Sequence, residues 1–284
     1  MMGRFGFLFV LLFMSRVWAE VGLSGVYDDN YAINHSRCPQ HFWQGVPPMH
    51  DKVADGTVYP LCFSGFAVLY SGQTRTPIYA AHHLTAKDVL AASSLPRTDS
   101  FRAEARLYET HQAQLADYQG EFYDRGHIVP NGDMADVNRQ YDSFSLANII
   151  PQDPMHNRKL WRDIESHVRT QALKYGELYV LTGAAYHGRT AVDMNGVLVP
   201  SHLYKAVYVP KTHTVAVYYS ANDGSLTYEL IDTQTLKART GVDFVPNARF
   251  EPSPFVLQAQ TERQSLGFFG WIGAVWAYAW QKLA

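Results

Sequence analysis

Cysteine is almost absent from this 284-residue chain: Cys38 and Cys62 are the only two. Two thiolates cannot build a tetrahedral zinc site alone, and a framework of several disulfides is excluded. Basic charge is not in excess either, with 24 Lys and Arg against 26 Asp and Glu and a formal net charge of −2. A protein that holds nucleic acid through its overall charge carries a basic footprint, so any anion-binding surface here has to be local. Neither of the long apolar runs, residues 5–14 and 266–280, reaches the ~20 residues that a membrane-spanning helix needs. The chain also lacks an internal repeat, a composition shift and a long linker. With 47% hydrophobic residues, it has the material for one sizeable core and one principal domain.

The two apolar runs mark off the ends. Arg4, the run 5–14 and then Val17-Trp18-Ala19 form the pattern of a secretory signal peptide with a small-residue cleavage site, so residues 1–19 are left out of the fold. Loss of Arg4 and Arg16 moves the net charge to about −4. Export to the periplasm or the medium makes one Cys38–Cys62 disulfide the expected state, with two buried thiols as the alternative. The domain then spans residues 20–265, and a hydrophobic tail follows at 266–284. That tail carries Trp271, Trp276 and Trp280; burial against the domain is expected, and contact with a membrane interface is the alternative.

The organising stretch is Phe122-Tyr123-Asp124-Arg125-Gly126-His127-Ile128-Val129-Pro130. Its apolar flanks place an Arg and a His at the margin of a core. An imidazole can take up a proton near neutral pH, and a guanidinium is a fixed fork of donors for a phosphate. Together they make half of a phosphodiester-cleaving site. The bland alternative is a core histidine beside a surface ion pair. Downstream come Ser145-Leu146-Ala147-Asn148-Ile149-Ile150-Pro151-Gln152 and then Asn157, Trp161, Glu165 and Arg169. A helix is expected from residue 156 or 157 to 175, ended by Gly176, with Leu160, Ile164 and Val168 as its buried stripe. The fourfold spacing of Asn157, Trp161, Glu165 and Arg169 offers an amide, a carboxylate and a guanidinium to one cleft, with Trp161 read as core. Residues 155–175 also carry Arg158, Lys159, Arg162, Arg169 and Lys174 against Asp163 and Glu165, the local basic surplus that the whole chain lacks.

This ordered set resembles the sugar-non-specific DNA/RNA endonucleases of the ββα-metal superfamily, which include secreted bacterial nucleases and mitochondrial endonuclease G. Weaker echoes run from Thr76 to Pro246: residues 79–85, Leu181-Thr182-Gly183, residues 199–205 and residues 240–244. The resemblance implies an α+β fold of antiparallel sheets with a ββα-metal hairpin and helix. It also implies a secreted Mg²⁺-dependent endonuclease with DNA and RNA substrates and little sequence preference. In that scheme His127 is the general base and Asn157 holds one Mg²⁺ (or Mn²⁺). Glu165 holds cation-bound water, Arg125 and Arg169 clamp the phosphate, and Asn148 orients the strand end. One upstream arginine, Arg97, is assigned to phosphate, with a surface ion pair as its alternative. Lys205, in a Tyr-rich strand, either reaches substrate or is a plain strand-edge lysine. Asp124 is read as structural or His-orienting. A secreted binding protein on an inactivated nuclease scaffold and a phosphodiesterase for small or lipid substrates are the rival functions.

Elsewhere the sequence predicts irregular wrapping over residues 20–55, strands over 58–64, 66–70 and 77–82, and a helix over 86–92. A second motif strand is expected at 144–149, broken by Pro151. Strands at 178–181, 203–209, 215–219 and 228–231 would extend the first sheet or build another. His82 and His83, being adjacent on a strand, face opposite ways and are read as structural.

Overall fold

Strands buried at nearly every position need cover on both faces, and the middle of this protein is built from such strands. The computed structural model describes residues 37–50, 57–120, 122–187, 192–244 and 248–257; the expected signal peptide and hydrophobic tail lie outside them. In chain order the elements are β1 (Met49–His50), β2 (Val58–Cys62), β3 (Ala67–Ser71), β4 (Thr76–Thr85), α1 (Ala86–Ala92), β5 (Asp124–His127), α2 (Val137–Ser143) and β6 (Ile149–Gln152). Then follow α3 (Arg162–Tyr175), β7 (Glu177–Ala185), β8 (Val192–Met194), β9 (Val197–Val199), β10 (His202–Val209), β11 (Thr214–Ala221), β12 (Glu229–Ile231), α4 (Thr233–Thr240), β13 (Val242–Asp243) and β14 (Arg249–Phe250). One sheet runs β12-β11-β10-β7-β4-β3-β2 with antiparallel neighbours, and β14 joins β11 in parallel. The late strands therefore extend the first sheet: β7 pairs directly with β4, His82 opposite Val180.

Alternate residues feed two cores. Val68, Tyr70, Ala80, Val180 and Val207 point to the face covered by α1 and α3. Ala67, Leu69, Tyr79, Leu181 and Tyr208 point to the other, where Phe42, Leu236 and Phe244 close over them. The disulfide joins Cys38 to Cys62 and ties the N-terminal wrapping to β2. Among the described residues no helix is long and apolar enough to cross a membrane.

The catalytic motif stands off the large sheet as a separate two-stranded ribbon, with Asp124 opposite Gln152 and His127 opposite Ile149. The second strand starts later than the sequence predicts. Residues Leu146–Asn148 form a 3-10 turn in which the Ser145 hydroxyl accepts from the Ala147 amide, and the strand runs through Pro151, which pairs with Arg125. A ribbon of only two strands has two edges, so a residue without an N–H can sit inside it. Gly126 has to be glycine because a Cβ there would collide with the Gln152 side chain.

Helix α1 has the bounds the sequence predicts, set by a capping box between Thr85 and Asp88. The predicted helix after the ribbon is present too, but its first part, His156–Trp161, is wound as a π-helix, and the Arg162 amide reaches back to the Asn157 carbonyl. Leu160, Ile164 and Val168 are buried as expected, and Gly176 ends the helix at φ +96°. Helix α2, between the two ribbon strands, starts at Asp136, whose carboxylate accepts from the Arg139 amide.

Candidate active site

His127 ends β5, and its ring packs between two phenylalanines, with Phe144 edge-on at 5.0 Å and Phe101 at 5.5 Å. Its Nε2 is buried and has no hydrogen-bond partner among the described residues. Burial, then the nearby Arg97 cation and, more weakly, Arg125, depress the imidazole to about 3, with Asp99 opposing. The ring is therefore neutral at physiological pH and holds an acceptor lone pair.

Asp124, at the other end of β5, faces the π-turn. Its carboxylate accepts from Asn157 Nδ2 at 2.9 Å and from the Arg158 guanidinium at 2.8 and 2.5 Å. Burial would raise its pKa, but these bonds hold it below the usual carboxylate range. The part open to Asp124 thus resolves as a hold on Asn157, and the His-orienting option has no support. Pinning Nδ2 on a carboxylate turns the amide so that Oδ1, the end a hard cation takes, faces elsewhere. The extra residue in the π-turn also shifts Asn157 off the strip that an α-helix would give it, while Trp161 stays in the core.

On the first turns of α3, burial pushes the Glu165 carboxyl up to about 7, against the opposing cations Lys205, Arg169 and Arg97, with Asp133 adding to the rise. The Arg97 charge therefore acts on both Glu165 and His127. Arg169 donates to Asp133 at 3.0 Å.

Several assignments change in the folded chain. Asn148 is fully buried with both amide ends used: Oδ1 accepts from the Val129 amide, and Nδ2 donates to the Val129 and Ser143 carbonyls. It braces the backbone after His127 and does not face substrate. Lys205 is 1% exposed, donates to Thr182 Oγ1 at 2.6 Å and lies 5.2 Å over the Trp161 ring. It sits on β10 between β7 and β11, so it is neither a strand-edge lysine nor in reach of substrate. Arg97 is half-exposed, pairs with Asp99 at 2.6 Å and stands 5.3 Å over Phe144, combining the ion pair with a place beside the site. Arg125 is exposed, 4.3 Å over Phe101. His82 and His83 do face opposite ways: His82 meets Asp133 at 3.1 Å, and His83 meets Glu177 at 2.7 Å and stacks on Tyr179. Sequence reasoning missed Asp133, Phe101 and Phe144. Gly132-Asp133 directly after the motif was the signal available for the first, and nothing local marked the other two.

The residues fit a hydrated divalent cation. Asn157 turns an oxygen away from Asp124, and Glu165 is a half-buried carboxyl that can accept from a cation's waters. Among the described residues no three His, Cys, Asp or Glu side chains converge as a ligand set, so a cation here would keep most of its water, the habit of Mg²⁺.

A short antiparallel ribbon carrying an imidazole, followed by a helix carrying an amide, a carboxylate and a guanidinium, defines the ββα-metal nuclease fold. The chain belongs to the DNA/RNA non-specific endonuclease family, whose model matches residues 48–251, and is a nuclease. It is 30% identical over 183 residues to nuclease C1 of Cunninghamella echinulata var. echinulata, covering 60% of this chain and 71% of that one. Identity to human mitochondrial endonuclease G is 26% over 207 residues, 64% of this chain and 68% of that one. The fold is shared with a chain in a crystal structure of the EndoG/EndoGI complex, at a TM-score of 0.61 and 24% identity, covering 67% of this chain and 87% of that one.

Proposed function

We propose that this protein is an exported endonuclease that hydrolyses phosphodiester bonds of DNA and RNA with little sequence preference, using one Mg²⁺ or Mn²⁺ ion. The observation that carries the reading is the His127 ring held between Phe101 and Phe144, with the Arg125 and Arg97 guanidiniums over those same two rings. A phosphate drawn between Arg97 and Arg125 offsets the cationic part of what holds the imidazole down, burial being the larger part, so substrate binding raises the basicity of the group that must deprotonate the attacking water. General-base help of this kind is worth on the order of 10²–10⁴ in rate. Arg169 and Arg125 bind the phosphate oxygens, and Asp124 holds Asn157 in the rotamer that presents Oδ1. A cation bound by Asn157, with Glu165 accepting from its waters, would supply positive charge against the developing charge on the phosphate and the departing 3′-oxygen. The products are a 5′-phosphate and a 3′-hydroxyl.

Weak sequence preference follows from contacts aimed at the phosphate and not at base edges. Export is supported by the signal-like residues 1–19 and by the disulfide, a bond of oxidising compartments. The deciding experiment measures turnover of plasmid DNA, RNA and a small phosphodiester, each with and without EDTA. Cation-dependent cleavage of both polymers is expected. Cleavage of the small ester alone, or activity indifferent to EDTA, overturns the reading.

A further inference from the structure

Arg169 reaches the site from α3, but what aims it belongs to other elements. Its Nη1 donates to Asp133 Oδ1 at 3.0 Å, and Asp133 Oδ2 lies 3.1 Å from His82 Nε2. A carboxylate can only accept, so Nε2 carries the imidazole proton. Asp133 and His82 are both buried. Asp133 closes the 3-10 turn Asn131–Asp133 that follows the His127 strand, and His82 stands on β4 in the middle of the large sheet. The residue before Asp133 adds a second constraint. Gly132 is exposed, yet a Cβ there would come within 3.2 Å of Arg169 Nη1. The turn is therefore moulded to the guanidinium on two sides, by a carboxylate braced from the sheet and by a backbone position without a side chain. Among the described residues one of the five donors of the fork is taken, by Asp133, and the fork geometry suits phosphate oxygens.

We infer that Asp133, braced by His82, is a positioning residue that aims Arg169 at the scissile phosphate, so that the turn following the general base also sets the phosphate clamp. The inference rests on the phosphodiesterase reading above. A misaimed guanidinium loses most where charge is greatest, in the transition state, so kcat falls more than KM rises.

The test is steady-state cleavage of a defined DNA duplex by the full protein with Mg²⁺, for Asp133→Asn, Gly132→Ala, Arg169→Ala and the two doubles that contain Arg169→Ala, with thermal melts of each. Asp133→Asn keeps the shape and removes the charge; its kcat should fall ~10–100-fold, the usual cost of losing a supporting contact behind a working group. Gly132→Ala changes an exposed position, leaves the charge alone and pushes on Nη1; a smaller loss of kcat is expected. Neither substitution should lower kcat further once Arg169 is alanine, because a residue acting through Arg169 has nothing left to act on. Wild-type kcat in both single variants overturns the inference. So does the same fold-loss in the Arg169→Ala background, which would mark a purely structural role. If Asp133→Asn does not fold, the Gly132→Ala cycle decides alone. Wild-type protein inactive on every phosphodiester sinks the nuclease reading together with this one, whereas active wild type with kcat unaffected in both single variants, or in Gly132→Ala where Asp133→Asn does not fold, sinks this one only.

Discussion

In the proposed mechanism the imidazole of His127 and the amide of Asn157 do work that no neighbour can take over. Nothing else in the described ribbon offers a neutral base, and Asn157 is the group turned by Asp124. His127→Ala should lower kcat on plasmid DNA by ~10²–10⁴, and Asn157→Ala should do so comparably, with melting temperatures near that of the wild type. Retained cleavage in either folded variant would refute its role. Glu165 makes a different prediction. With its carboxyl pushed up to about 7 by burial, against opposing cations, the cation-free protein is partly protonated there at neutral pH. A divalent cation needs the ionised form, so its binding must release a proton, and its apparent affinity must rise as pH climbs through 7 and level off above. Calorimetric titration with Mg²⁺ at pH 6 and pH 8, in two buffers of different ionisation enthalpy, reads both effects. Equal affinity and no proton release would mean that Glu165 does not take part in holding the ion.

At the scale of the element, the π-turn and the ribbon form one device. Asp124 sits at the start of β5 and grips both Asn157 and Arg158: its Oδ2 accepts from Asn157 Nδ2 and Arg158 Nε, and its Oδ1 from Arg158 Nη2. Asp124→Ala frees the amide to rotate and to present Nδ2 where Oδ1 belongs. Loss of most activity is expected with little loss of stability, because the Arg158 pair is exposed and such pairs contribute roughly 0–1 kcal/mol. Parallel measurement of kcat and melting temperature checks both halves; a large fall in melting temperature would make Asp124 a fold residue instead. The same elements show what a sequence reveals. Helix α1 was legible to the residue because Thr85 and Asp88 specify its start locally, and α3 because its stripe and Gly176 do the same. The π-winding was not legible, since it answers to Asp124 on another strand and to the burial of Trp161. The late start of β6 was hidden for the same reason: it depends on Asn148 bonding to Val129 and Ser143. The roles of the site residues came from the resemblance, with spacing placing them along one helix, whereas Lys205 was misplaced because a lysine at a sheet centre is stabilised by partners, Thr182 and Trp161 among them, that no local pattern announces.

For the whole molecule, the buried histidines set a limit on the acid side. His41 and His156 are each depressed from 6.5 to about 4, first by burial. For His156 the geometry explains why the neutral form is needed: one ring nitrogen meets the Gln152 amide nitrogen at 2.7 Å and the other meets the Ser220 hydroxyl at 2.7 Å, so a second ring proton would face a donor. Above pH 6.5 neither the folded nor the unfolded protein protonates these rings, and their contribution to stability is complete. As pH falls through 6.5 the unfolded rings take up protons while the folded ones stay neutral to about pH 4, so stability is lost across that window. At 1.36 kcal/mol per unit of pKa difference, each fully buried ring costs up to roughly 3 kcal/mol by pH 4. Melting temperature should therefore drop steadily from pH 6.5 to 4. His156→Gln, which keeps polar contacts toward Gln152 and Ser220 but cannot titrate, should flatten part of that slope while lowering stability at pH 7. A slope unchanged by the substitution would move the acid sensitivity to other groups and leave His156 as a packing residue.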